Sequence, residues 1–436
     1  MKPFFGFLGL RVAETREKRL FTKNTGACEA VRRCIRTDAC PVLEAHMIDK
    51  YISNTMKLSQ DGKKYFKNER ELLNDKEQPI EKDDFDHIIK DEIFSFINPF
   101  DNIVLLAGAG ASVVPKQDGK PNPNFGHTVA MLGNEVKAKL VSPTYYTIDE
   151  LSEKCRYNSE EFNLEDFLSH LQAYLQFISE TKEEKKFKQS YDKIIKIIKQ
   201  KTSYDYDSHH FKHATLIKQL TELLTTPNRL SIVTTNYDTI VEDSAYSLNY
   251  TVFDGFTFSH KPAFDVDMFD WYLSKPIPDV KSQKEAYKKS VINLLKIHGS
   301  LTWEQDGDEI IRKDKNSIKE PIMVFPSSNK YMQSYERPYF ELFSKFQALL
   351  RKQNTVLITA GFSFADNHIS RMIIQALKTI PSLSILVTDF DISPATPNKN
   401  WNELIDLMKK DYNIAFLQAT MNSNLTDYFI RGNIND

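Results

Sequence analysis

Short continuous apolar runs recur along the chain: Asn102–Ala107, Leu230–Thr235, Asn293–Ile297, Ile322–Phe325, Thr355–Ala360 and Ser384–Thr388, with Ile414–Leu417 as a last one. Runs of this kind, apolar at successive positions, suit strands of a parallel sheet covered on both faces. Between them the apolar spacing turns helical. Phe85, Ile88, Ile89, Ile93 and Phe96 place a helix within 83–99, and others are expected over 127–140, 340–350 and 370–378. Residues 160–224 read as a helical insertion, with Leu164, Phe167, Leu168, Leu171 and Leu175 on one stripe and Tyr191, Ile194, Ile195, Ile197 and Ile198 on another. Strand–helix alternation predicts an α/β fold, a Rossmann-like parallel sheet flanked by helices.

The remaining stretches lack such periodicity. Residues 47–82 are polar and lysine-rich, so 47–95 reads as a helical, lysine-rich lead-in to a domain over 96–425. Residues 115–126 are a loop by composition, and 258–285, rich in Pro and Asp, reads as an inserted surface region.

Composition changes this picture at one place. Residues 1–46 hold Cys28, Cys34 and Cys40, three of the four cysteines, and nine Lys/Arg against five Asp/Glu. Arginine becomes scarce after Met47, and Ala45-His46-Met47 resembles a cloning junction, so 1–46 is expected to be vector-derived or disordered rather than a native basic arm. The net charge of −2 gives no general pull toward nucleic acid or a membrane. No apolar run is long enough to span a bilayer, and sparse cysteine fits a reducing, cytoplasmic setting.

Candidate chemistry clusters where predicted strands end. Gly108-Ala109-Gly110-Ala111-Ser112 follows the first run. Its glycines allow close backbone approach to a diphosphate, although the alternative is a tight turn, and Val113 stands where the usual dinucleotide fingerprint has its third glycine. Thr235-Asn236-Tyr237-Asp238 follows the second run. Asn236 both donates and accepts; Asp238 reads as an order-giving group or a cap for the next helix. His298-Gly299-Ser300 follows the third and offers a general base or a structural histidine. Gly361-Phe362-Ser363-Phe364-Ala365-Asp366 follows a further run; Asp366 reads as a helix cap and His368 as structural. In one parallel sheet all four fall on the same edge, where ligands of open α/β sheets bind.

Taken together, these motifs resemble the sirtuin family, and more closely its prokaryotic sirtuin-like branch found in anti-phage defence. Asn163-Leu164-Glu165-Asp166 and Pro326-Ser327-Ser328-Asn329-Lys330 are similar to further segments of that branch, and the resemblance covers roughly 95–420. It implies NAD+ as substrate, with Asn236 and His298 at the reaction centre and Asp238 ordering the Asn236 loop. It also implies contacts from Gly108, Ala109, Gly110, Ala111, Ser112, Thr235, Gly299, Ser300, Gly361 and Ser363, and from Asp389 to the adenine ribose. Protein-deacylating sirtuins carry a four-cysteine zinc module between the last two motifs; residues 301–360 contain no cysteine, so no zinc is expected.

The resemblance therefore implies an NAD+ glycohydrolase, with a deacylase or ADP-ribosyltransferase as one alternative and a nucleotide-binding scaffold subunit as another. A chain of this size is similar to the stand-alone subunit that pairs with a HerA-type ATPase ring. That implies a homo-oligomer bound to such a ring, with nucleic acid reached only through the complex and no membrane contact.

Overall fold

The computed structural model describes residues 47–159, 162–177, 182–277, 285–318, 320–323 and 337–430. The expectations for residues 1–46 and for Pro326–Lys330 lie outside these, as do 278–284 of the inserted surface region.

The chain order begins with strands β1 (Ile48–Ser53), β2 (Lys57–Asp61), β3 (Lys64–Lys67) and β4 (Arg70–Glu71), followed by helix α1 (Lys82–Ile97) and β5 (Asn102–Ala107). Helices α2 (Val129–Lys139), α3 (Ile148–Cys155), α4 (Leu164–Leu175), α5 (Lys182–Thr202) and α6 (His213–Leu223) lead to β6 (Leu230–Thr234). Then come α7 (Ile240–Ser247), β7 (Thr251–Phe253), β8 (Ser274–Pro276), β9 (Glu285–Tyr287), β10 (Val291–Lys296), β11 (Trp303–Asp306) and β12 (Glu309–Arg312). The last part is α8 (Tyr339–Arg351), β13 (Thr355–Ala360), α9 (Asn367–Thr379), β14 (Leu383–Asp389), α10 (Lys399–Met408) and β15 (Ile414–Gln418).

Eleven strands form one sheet in the order β4-β3-β2-β1-β15-β14-β13-β5-β6-β10-β7. From β15 to β7 every pairing is parallel. The expected Rossmann-like α/β sheet is therefore present, and successive residues of its strands point to opposite layers. Ile103, Leu105 and Ala107 of β5 pack with α1, α6 and α7, whereas Val104 and Leu106 pack with α8, α9 and α10. Burial on both faces is why these strands carry continuous apolar runs.

Three expectations differ from the structure. Residues 47–82, read as part of a helical, lysine-rich lead-in, form the antiparallel ribbon β1–β4, joined to β15 through β1. It buries Tyr51, Leu58 and Tyr65 under α1 among mostly polar neighbours, which hides it from a search for apolar runs. The helical insertion is α2–α5, residues 129–202, around its own core of Val136, Leu151, Phe167, Leu168, Ile194 and Ile197; α6 instead packs on the sheet. The strand expected at 322–325 is, over its described residues, a single bridge between Met323 and Gly299.

The order of connections matters for function. The chain leaves β5 toward β6, β7 and β10 on one side, then returns to place β13, β14 and β15 on the other. Neighbouring strands β5 and β13 thus send their connections in opposite directions. Such a topological switch point is where open α/β sheets place a ligand crevice, beyond the C-terminal ends of the strands.

Candidate functional site

At the switch point the loops after β5 and β13 grip each other. Gly108 N–H donates to Ala360 O and Gly110 N–H to Gly361 O, both at 3.0 Å, while Ala111 N–H donates to Gly108 O at 2.9 Å. Gly361 lies at φ +59°, and a Cβ there would sit 2.2 Å from the Ala111 nitrogen. A Cβ on Gly108 would meet Gly361 O at 2.5 Å. These glycines are required by backbone-to-backbone approach of two loops. The amides of residues 108, 110 and 111, expected to cradle a diphosphate, are engaged with protein carbonyls, and Ala109 and Gly110 remain partly exposed at the crevice.

Asn236 and Asp238 stand beside this junction because β6 is the neighbour of β5. Asn236 Nδ2 donates to Gly108 O and to Ser112 Oγ, both at 2.9 Å. Ser112 in turn donates to Asp238 Oδ2 at 2.7 Å, and Tyr204 Oη donates to that same oxygen at 2.8 Å. Asp238 Oδ1 accepts from Ile240 N–H at 3.2 Å, so it also tethers the start of α7. The carbonyl of Asp238 accepts from Lys296 Nζ, whose ammonium reaches Glu242 Oε1 at 3.0 Å. Thr235 sits at the strand end, its amide donating to Ala107 O at 3.2 Å.

His298, buried at 3 % exposure, follows β10. Its Nε2 lies 3.5 Å from Asp366 Oδ2. Asp366 begins α9 and accepts from the amides of His368 and Ile369 through its other oxygen, at 2.8 and 3.2 Å. Tyr237 lies at the same end. Desolvation pushes its phenol well above the usual range, and the nearby Glu165, Tyr339 and Asp366 add to that. Gly299 has φ +90°, and a Cβ there would stand 2.2 Å from Ile322 O.

Not every expected residue joins this cluster. Ser300 is fully buried, its amide donating to Ile322 O at 3.0 Å and its hydroxyl paired with Thr302 Oγ1 at 2.9 Å. Ser363 is exposed, and its carbonyl accepts from Asn398 Nδ2 at 2.8 Å. Asp389 ends β14, half-buried, and burial pushes its carboxyl up to about 6. The register aligns Ala107, Ala360 and Thr388 across β5, β13 and β14, so Asp389 sits at the level of Gly108 two strands away.

Sequence reasoning assigned no role to Tyr204 or to the ammonium of Lys296, and gave Asp366 only a capping role. Tyr204 comes from the segment after α5 and carries no local motif; only the fold brings it to Asp238. Asp366 does cap its helix, but 68 positions separate it from His298, and no pattern along the chain joins them.

Residues 230–417 match the family model described as the SIR2-like domain. The match supports a Sir2-type family, and it fits NAD-dependent activity. The SIR2-like region spans β6 to β15, so it takes in Asn236, Asp238, His298, Gly361, Asp366 and Asp389, while the Gly108–Ser112 loop precedes it. No curated protein matches the chain. Among the described residues of the SIR2-like region and its flanks, no group of three or more His, Cys, Asp or Glu is placed to hold a metal ion. No described helix is long and apolar enough to cross a membrane.

Proposed function

We propose that this protein hydrolyses NAD+ to nicotinamide and ADP-ribose. The observation that carries the reading is the fixing of Asn236 next to the switch-point crevice. Both hydrogens of its amide are committed, to Gly108 O and Ser112 Oγ, so its acceptor oxygen is the part that addresses a ligand. The donor set also fits a dinucleotide. Asp389 ends the strand two places from β5, about 10 Å away at ordinary strand spacing, and a carboxylate there suits the paired hydroxyls of a ribose.

In the reaction, the bond between the nicotinamide nitrogen and ribose C1′ breaks, and its electron pair neutralises the pyridinium. The oxygen of a water molecule forms the new bond to C1′, and its proton passes to His298 and then to solvent. Asn236 holds the water or the ribose hydroxyl in line, and Asp238 keeps the Asn236 loop in place. Preorganised dipoles suit the charge that develops on the ribose as nicotinamide leaves. Ala109, Gly110 and Ser112 are assigned to the diphosphate side and Gly361 and Ser363 to the adenosine side.

The same reading extends to setting and partners. Its support is the motif resemblance to defence-type chains: an effector that depletes NAD+ during phage infection, working as a homo-oligomer on a HerA-type ATPase ring. The test is incubation of the full chain with NAD+, alone, with an acyl-lysine peptide, and with such an ATPase, followed by chromatography of the products. Nicotinamide and ADP-ribose without peptide support the hydrolase; turnover only with peptide overturns it in favour of a deacylase.

A further inference from the structure

The geometry points to Asp366 as the positioning residue of His298, so that a His–Asp pair, rather than a lone histidine, supplies the base. The inference rests on the NAD+-hydrolase reading for its function, but its structural part stands on the side chains alone. Asp366 Oδ2 lies 3.5 Å from His298 Nε2, with both side chains nearly buried. The other carboxylate oxygen accepts from the amides of His368 and Ile369, which fastens the carboxylate to the first turn of α9. A carboxylate held this way cannot follow the imidazole about; the imidazole is oriented by it. A carboxylate at that distance favours the protonated ring, and so stabilises the imidazolium formed when His298 takes the proton from water.

Other charged and polar groups lie near this pair. Lys296, two residues before His298, directs its ammonium to Glu242 and the Asp238 carbonyl instead. Glu165 of α4, Tyr339 of α8 and Tyr237 share the same end of the sheet with Asp366. The Asp366 carboxylate reaches the His298 ring, with Oδ2 at 3.5 Å from Nε2. Its position also follows from topology. Asp366 lies just past the Gly361 loop of β13 and His298 just past β10, so the pair spans the crevice between the two halves of the sheet.

The capping and pairing roles are separable by substitution. Asparagine caps helices as well as aspartate does, so Asp366→Asn keeps an acceptor for the His368 and Ile369 amides and removes only the charge. Asp366→Ser, also a capping residue, removes the partner altogether. Both variants are compared with the unaltered full chain by thermal melting, NAD+ turnover across pH, and NMR of histidine-labelled protein, with His298→Ala identifying the His298 signal. The expected result is a melting temperature close to that of the unaltered chain and kcat lower by about 10- to 100-fold with KM little moved, a part of what a positioned general base supplies. The acid limb of the pH–rate profile and the His298 titration both move to lower pH, because the imidazolium has lost its carboxylate. An unchanged His298 titration in Asp366→Asn overturns the pairing, whatever the activity. An active chain whose kcat and pH profile survive Asp366→Asn overturns the functional role. A chain inactive before substitution, with the His298 titration still dependent on Asp366, counts against the hydrolase reading and leaves the pair standing.

Discussion

Tyr204 donates its phenolic hydrogen to Asp238 Oδ2 at 2.8 Å, across the boundary between the segment after the helical insertion and the turn after β6. Ser112 donates to the same oxygen, and Asn236 donates to Ser112, so the phenol is the far end of a chain that terminates at the proposed reaction centre. Burial pushes this phenol well above its ordinary range.

Tyr204→Phe removes one donor from a buried carboxylate. The expected cost is about 1–3 kcal/mol of stability, the usual penalty for a buried polar group losing a partner. Urea denaturation measures it. NAD+ turnover is expected to fall through kcat, because Asn236 and Ser112 lose their fixed geometry while the rest of the crevice is intact. A variant with full kcat would show that the chain of bonds ends at Asp238 and does not reach the chemistry.

Lys296 is 2 % exposed and pairs with Glu242, whose own carboxyl is pushed up by burial despite that ammonium. Lys296→Met leaves the partly exposed Glu242 without its cation and releases the Asp238 carbonyl. A loss of about 1–3 kcal/mol is expected, as for a polar group that loses its partner. The double variant Lys296→Met with Glu242→Leu is expected to recover much of this loss. Denaturant midpoints of the three proteins check the prediction; a double variant no more stable than the single one contradicts it.

Gly361→Ala tests the loop-on-loop contact. The new Cβ would meet the Ala111 nitrogen at 2.2 Å, and φ of +59° disfavours any L side chain by about 1–2 kcal/mol before the clash is added. The variant is expected to lose NAD+ affinity and stability together, since the two loops that define the crevice must part. Calorimetric titration with NAD+ beside a melting curve reads both; a stable variant that binds normally contradicts the contact.

The Asp389 carboxyl, pushed up to about 6 by burial, sits above the ordinary value near 3.9. The folded chain therefore binds more protons than the unfolded one between about pH 4 and 6. This group favours the fold below that window and loses its contribution as pH rises through it. Ionisation is also what a ribose hydroxyl requires of it. NAD+ affinity is expected to rise as pH passes through 6 and to lose that rise in Asp389→Asn, while the slope of stability against pH flattens over the same interval. Binding isotherms at pH 5, 6 and 7 decide it: a rise that persists in Asp389→Asn assigns it to another group.

The legible part of the fold was the part buried on both sides. Asn102–Ala107 and Thr355–Ala360 announce themselves because nearly every position is covered, and the structure gives those same bounds. Ribbon β1–β4 is short and mostly polar, so Lys57, Gln60 and Lys64 mask Leu58 and Tyr65. Asn236 and His298 were legible as strand-end residues, since each lies just past a strand of the sheet. The glycines were legible as glycines but not for their reason, which is the grip of one loop on another. Tyr204 and Asp366 were not legible as partners at all, since their roles depend on which strand ends the topology brings together.

The central claim is that Asn236, fixed by Gly108 and Ser112, directs cleavage of NAD+. It is tested most directly by the rate of nicotinamide release from NAD+ by the full chain and by Asn236→Ala, each checked for retained fold and assayed with and without the ATPase ring. The account predicts release by the unaltered chain in at least one of these conditions and its loss, by about 100-fold or more, in a folded Asn236→Ala variant. Full release by Asn236→Ala, or none by the unaltered chain in either condition, would contradict it.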